Sequence, residues 1–259
     1  MDAAIFQLPW QNALAGVALI LRAGGFLAFA PIVGSDSVPP AVKAALALLI
    51  AILLAPVVPA PPASVSLLWL AATEVTVGAM LGFVTSLLFD ALVFAGTFVG
   101  YPTGLSTAAM MDPINQSQIP VTATFYQIVG SLMYLVIGGH RQALGALARS
   151  YEIVPLGLSH WNGPWIKTVV ATSGQVLTIG FRLAAPVLVA GLLVDLCLML
   201  IARAVPQMNI LVVGAPIRVA AGLIALAASL HVFAPLVAES ADAVLRGAGH
   251  LVQALGGRG

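Results

Sequence analysis

Inside strongly apolar stretches of this sequence stand Arg22, Glu74, Asp90, Arg182, Asp195 and Arg218. An ionisable group in hydrocarbon is costly, so each of these must face protein or water. Two kinds of chemistry would use them. A transporter would string them into a proton or ion relay, and an assembly subunit would pair them with neighbouring chains. The residues alone leave both open. Glu74 and Asp90 are not a paired-carboxylate site. Glu74, Gly78, Gly82, Ser86 and Asp90 recur every four residues, and each step of four turns a helix about 40° past a full circle. The two carboxylates therefore point in different directions. Gly78 and Gly82, followed by Gly96, Gly100 and Gly104, suit close helix packing, a reading favoured here over a ligand path.

Other reactive residues are scattered. His140, His160, His231 and His250 never stand three or four residues from one another or from the single cysteine, Cys197. No zinc site is legible, and no phosphate loop or dinucleotide fingerprint occurs. Cys197 excludes an internal disulfide, and its apolar surroundings predict a buried, inert thiol. Gly104-Leu105-Ser106 only faintly resembles an intramembrane serine nucleophile, because no glycine follows the serine and no base is evident. Neither a cofactor nor a catalytic set is expected.

The elements that must hold these residues are set by composition. Of 259 residues, 61% are hydrophobic and 7% charged, and the mean hydropathy is +1.07. Soluble domains carry roughly a quarter charged residues, so lipid or partner proteins must cover this surface. A net charge of +1 rules out a clustered basic face for nucleic acid. The start, Met1-Asp2-Ala3, lacks a positive n-region, so the first apolar segment is expected to be retained. A spanning helix takes about 20 apolar residues. The candidates are Ala13–Val33, Ala44–Val58, Leu67–Gly100, Val121–Gly139, Ile166–Ala202 and Ile210–Val237. The third and fifth are too long for one simple crossing, and read as bent helices or tight hairpins, with Pro186 as a kink point. The expectation is an all-α polytopic membrane protein, a single domain over residues 1–259. Its helical core would run from about 13 to 237, with a short C-terminal tail at 239–259.

Gly34–Pro40, Pro56–Pro62 and Tyr101–Pro120 connect the segments, and the charged stretch Arg141–Pro164 is placed at a membrane surface. Counting each segment as one crossing puts Arg141, Arg149, Lys167, Arg246 and Arg258 on one side and only Lys43 and Arg203 on the other, which predicts cytoplasmic termini. The loop after Tyr101 includes Thr103, Gly104, Ser106, Met110, Met111, Asp112, Pro113, Ile114, Asn115 and Gln116. Flexible methionines among uncharged amides fit an element lining a protein-sized pore. On physics alone an ordinary exposed loop is the favoured reading.

Several stretches together resemble the FliR family of flagellar biosynthesis proteins and their injectisome SctT-type relatives. They are Arg22 to Gly34, Val38 to Lys43, Glu74 with Gly78 and Gly82, Gly100 to Pro113, then Gly139-His140, Ser150 and Pro155. The most specific is Ala202 to Ile210, with Arg203, Pro206, Gln207 and Asn209. The resemblance implies a non-enzymatic subunit of a type III export gate in the bacterial inner membrane, at the flagellar basal body. Its partners would be FliP-like and FliQ-like subunits, with FlhB-like and FlhA-like export proteins nearby, and its cargo unfolded flagellar proteins. The loop Thr103–Gln118 would correspond to the plug of the closed pore, which raises that reading above the ordinary loop. The resemblance also warns that hairpins of this kind pack against partner subunits rather than each crossing lipid. A secondary transporter or ion-conducting protein is the alternative, and an intramembrane protease the third.

Overall fold

Prolines set most of the helix limits. The computed structural model describes residues 10–35, 37–62, 64–105, 120–161, 164–207 and 209–257. Among them are seven helices and no strand: α1 (Trp10–Phe29), α2 (Pro40–Leu54), α3 (Leu67–Gly100), α4 (Val121–Val136), α5 (Gly139–Ile153), α6 (Pro164–Ala204) and α7 (Ile210–Leu255). α1, α3, α5 and α6 each stop two residues before a proline, at Pro31, Pro102, Pro155 and Pro206. A proline disfavours helical backbone at the residue before it. α2 starts on Pro40, where the missing amide would have been unpaired anyway. α4 and α5 are separated by a 67° bend, made at Gly138 with φ 73°, a conformation glycine adopts without a Cβ clash.

Three helices are long and apolar enough to cross a membrane, or four if the bent α4–α5 pair makes one span. The long apolar segments are therefore continuous helices rather than tight hairpins. α3 keeps the predicted limits and, at 34 residues, is about 51 Å long. α6 runs through Pro186 without a break, and α7 through Pro216 and Pro235. The first part of the charged stretch Arg141–Pro164 forms α5, which buries Ala143, Leu147, Ser150 and Tyr151. The C-terminal segment is not a separate tail, because α7 continues to Leu255 and buries Ala241, Val244, Ala248, Leu251, Val252 and Leu255. These positions follow a helical repeat, but the charges between them lowered the hydropathy below that of a span.

The chain packs as two units. The first comprises residues 1–87, 138–173 and 242–259. Its core is one cluster drawn from α1, α2, the first part of α3, α5 and the end of α7, including Leu19, Phe26, Leu81, Leu147 and Leu251. The second comprises 88–137 and 174–241. There, edge-on aromatic pairs join α3 to α4 (Phe89–Tyr134, 5.3 Å), α3 to α6 (Phe94–Phe181, 5.4 Å) and α4 to α7 (Tyr126–Phe233, 5.1 Å). Such pairs contribute about 0.5–1.5 kcal/mol each beyond their buried area.

Candidate functional site

In the first unit, Arg22 on α1 and Glu74 on α3 meet, with 0% and 1% of their side-chain surfaces exposed. Arg22 Nε donates to Glu74 Oε2 at 2.6 Å. Nη1 donates to the Ser150 carbonyl at 2.9 Å and Nη2 to the Val154 carbonyl at 3.0 Å, both at the C-terminal end of α5. The other carboxylate oxygen, Oε1, accepts from the Gly157 amide at 2.9 Å. The guanidinium lies 4.5 Å from the centre of the Tyr151 ring, whose hydroxyl donates to the Leu19 carbonyl at 3.2 Å. One cation thus ties α1, α3 and the α5 terminus together, and the carbonyls at the end of α5 suit it electrostatically.

Small residues let these helices approach. A Cβ on Gly78 or Gly82 would strike the backbone carbonyls of Arg22 or Phe26, and one on Gly25 would lie 2.5 Å from the Val75 carbonyl. Gly78 is one turn from Glu74, so the glycines and the ion pair share one seam. At the α1–α2 corner the Gly34 amide donates to the Ala30 carbonyl at 2.7 Å, and Lys43 Nζ to the Gly34 carbonyl at 2.9 Å. Arg22, Gly34 and Lys43 of the resembling stretches are thereby assigned structural contacts. Gly25, Tyr151 and Gly157 were not singled out from sequence for roles of their own. Gly25 lies within the Arg22–Gly34 stretch, but only the packing gives it a role.

In the second unit, Arg218 Nε donates to Asp195 Oδ1 at 2.7 Å, joining α7 to α6, with 41% and 40% of the side chains exposed. One turn before Asp195, Gly191 receives Pro102. One turn after Arg218, Gly222 receives Thr103. A Cβ at either glycine would collide with those side chains. The buried Thr103 hydroxyl donates to the Val99 and Gly100 carbonyls at 3.0 and 3.1 Å, and Gly104 turns the chain with φ 71°. The root of the expected plug loop is therefore seated on α6 and α7 beside their ion pair. Ser106, Met110, Met111, Asp112, Pro113, Ile114, Asn115 and Gln116 lie outside the described residues. Gly96 packs against the α4 backbone at Thr122 and Ala123, and Gly100 is buried at the end of α3.

The remaining sites do not converge. Glu74 is buried and Asp90 exposed. Arg182 and Glu239 approach only to 4.0 Å, with 63% and 68% of their side chains exposed. Arg203 lies exposed in the last turn of α6, and Pro206, Gln207 and Asn209 lie exposed in the α6–α7 turn. Cys197 is exposed, not buried. It sits about 100° around α6 from Leu198, which takes the inward position there. Among the described residues, no group of three or more His, Cys, Asp or Glu could hold a metal ion.

Known proteins share much of this sequence. The flagellar biosynthetic protein FliR of Escherichia coli (strain K12) is 32% identical over 219 residues, covering 83% of this chain and 84% of the relative. FliR of Caulobacter vibrioides is 31% identical over 214 residues, covering 81% and 85%. The Yop proteins translocation protein T of Yersinia pestis is 30% identical over 155 residues, 59% of each chain. The pattern describing bacterial export proteins, family 1, matches residues 13–244. With that match covering most of the helical chain, the protein belongs to family 1 of the bacterial export proteins.

Proposed function

We propose that this chain is an inner-membrane subunit of a flagellar type III protein-export gate, in which Thr103–Gln118 plugs the pore through which unfolded substrates pass. Family membership supports an export component. The flagellar assignment is supported by the coverage of the FliR relatives, 83% of the chain against 59% for the Yersinia translocation protein. FliP-like and FliQ-like subunits would complete the gate, with FlhB-like and FlhA-like proteins at its cytoplasmic side. In this role the chain has no chemistry of its own. The crossing count that puts Arg141, Arg149, Lys167 and Arg246 on one side supports placing the termini toward the cytoplasm.

The observation that carries the gate reading is charge on open apolar helices. The apolar windows of α6 and α7 are only 22% and 17% buried, against 56% for α3. Yet Asp195, Arg218, Arg182 and Glu239 stand on these helices with 40–68% of their side chains exposed. Lipid is a poor neighbour for such groups and another subunit a good one. The plug reading is supported by the seating of Pro102 and Thr103, which fixes where a methionine-containing loop leaves the helices. Deleting Met110–Gln116 should leave the gate assembled and make it leaky to ions after reconstitution. Unchanged conductance in an intact deletion complex refutes the plug, and lost assembly shows that the loop holds the complex together instead.

A further inference from the structure

We infer that the open face of α3 around Asp90 is a docking seam for one transmembrane helix of a different subunit, and that this helix carries a basic side chain opposite Asp90. The inference rests on the subunit reading above and names the chemistry of one partner. Asp90 lies ten residues, about 15 Å, from the end of α3, flanked by Leu87, Leu88, Ala91 and Leu92. It is exposed, and unlike Asp195 and Glu239 it has no cation within salt-bridge distance among the described residues of its unit. Arg182 is not its counterpart. Gly180 faces α3 at Ala91, and Arg182 is two residues, about 200°, further round α6, with its guanidinium toward Glu239.

The surrounding surface fits a helix better than lipid or water. Asp90, Val93 and Thr97 form a strip of incompletely buried positions along the part of α3 that belongs to the second unit. Their spacing of three and four is the pattern of a left-handed helix pair crossing at about 20°. The Thr97 hydroxyl is already spent on its own helix, donating to the Val93 carbonyl at 2.8 Å. The strip therefore offers a partner one strong polar group, the Asp90 carboxylate. By contrast, the open face of α6 is lined by Val189, Leu192, Leu193, Leu196 and Leu200, as lipid or a bulky apolar neighbour would require. A second copy docking through the same strip would face carboxylate with carboxylate, so the occupant is a different chain with a Lys or Arg.

The test uses the full chain expressed with the rest of its export apparatus and solubilised from the membrane. Asp90→Asn keeps the shape and removes the charge. The yield of complex recovered on the chain should fall at least about tenfold, the effect of losing roughly 1.4 kcal/mol of association free energy, and Asp90→Glu should restore most of it. A photo-crosslinking side chain at Val93 should label another subunit, and the label should fade in Asp90→Asn. Expressed without partners, Asp90→Asn should give a larger monodisperse fraction than the unaltered chain, because it removes an unpaired charge. A variant that merely misfolded would move the other way and overturn the inference. Wild-type complex yield in Asp90→Asn, or crosslinks to lipid alone, would also overturn it. Normal yield with altered ion conductance would overturn it in favour of a water-filled path. If the unaltered chain recovers no partner, the gate reading fails as well.

Discussion

Replacing Glu74 by Gln removes the one negative charge beside a guanidinium that has no exposed surface. The shape is nearly preserved. The Gln carbonyl oxygen can still accept from the Gly157 amide, but its NH2 group then faces Arg22 Nε, donor against donor, where 2.6 Å now separates donor from acceptor. Breaking a buried pair from one side costs about 3–5 kcal/mol, because the other charge is left uncompensated. Glu74→Ala should cost more, since the Gly157 amide also loses its acceptor, a further 1–3 kcal/mol or so. All four tryptophans, Trp10, Trp69, Trp161 and Trp165, belong to the first unit, so their fluorescence follows that unit's melting. With about 2–4 °C per kcal/mol for chains of this size, the midpoint for Glu74→Gln should fall by about 6–20 °C. Arg22→Met should be as damaging, and the double variant Arg22→Met/Glu74→Gln should lose clearly less than the two singles together. A midpoint for Glu74→Gln within about 2 °C of wild type, or strict additivity in the cycle, would refute the view that this pair holds the unit together.

Gly78→Ala should destabilise the same unit by about 1–3 kcal/mol, because its Cβ meets the rigid Arg22 carbonyl rather than a movable side chain. Combined with Glu74→Gln it should be less than additive, which the same tryptophan melt will measure. Truncation after Glu239 should strip Leu251, Val252 and Leu255 from the core, at about 1.5–3 kcal/mol each. It should also free the His160 amide from the Leu255 carbonyl, now 2.9 Å away. Lower membrane levels and faster proteolysis of the truncated chain are expected, and normal levels of a stable product would contradict this packing.

Composition determined that lipid or partner proteins must cover the chain, because 7% charged residues leave too much apolar surface for water, and apolar runs of about 20 residues or more pointed to helices. The limits of α3 were legible too, since a long apolar run between proline-rich stretches leaves little choice of ends. Glycines every fourth residue pointed to close packing. Sequence could not say that Gly78 and Gly82 serve α1, and Gly96 serves α4, because helical spacing gives a face but not its neighbour. The end of α7 was missed for a related reason. Its apolar stripe is narrow and interrupted by Asp242 and Arg246, so its burial depends on what packs against it and not on its own hydropathy. The charges show the limit most clearly. Arg22, Glu74, Asp90, Asp195 and Arg218 all looked alike as ionisable groups in apolar runs. Only the fold brought Arg22 to Glu74 across 52 positions and Arg218 to Asp195 across 23, and left Asp90 facing outward, because pairing depends on distances of a few ångströms that chain separation does not encode.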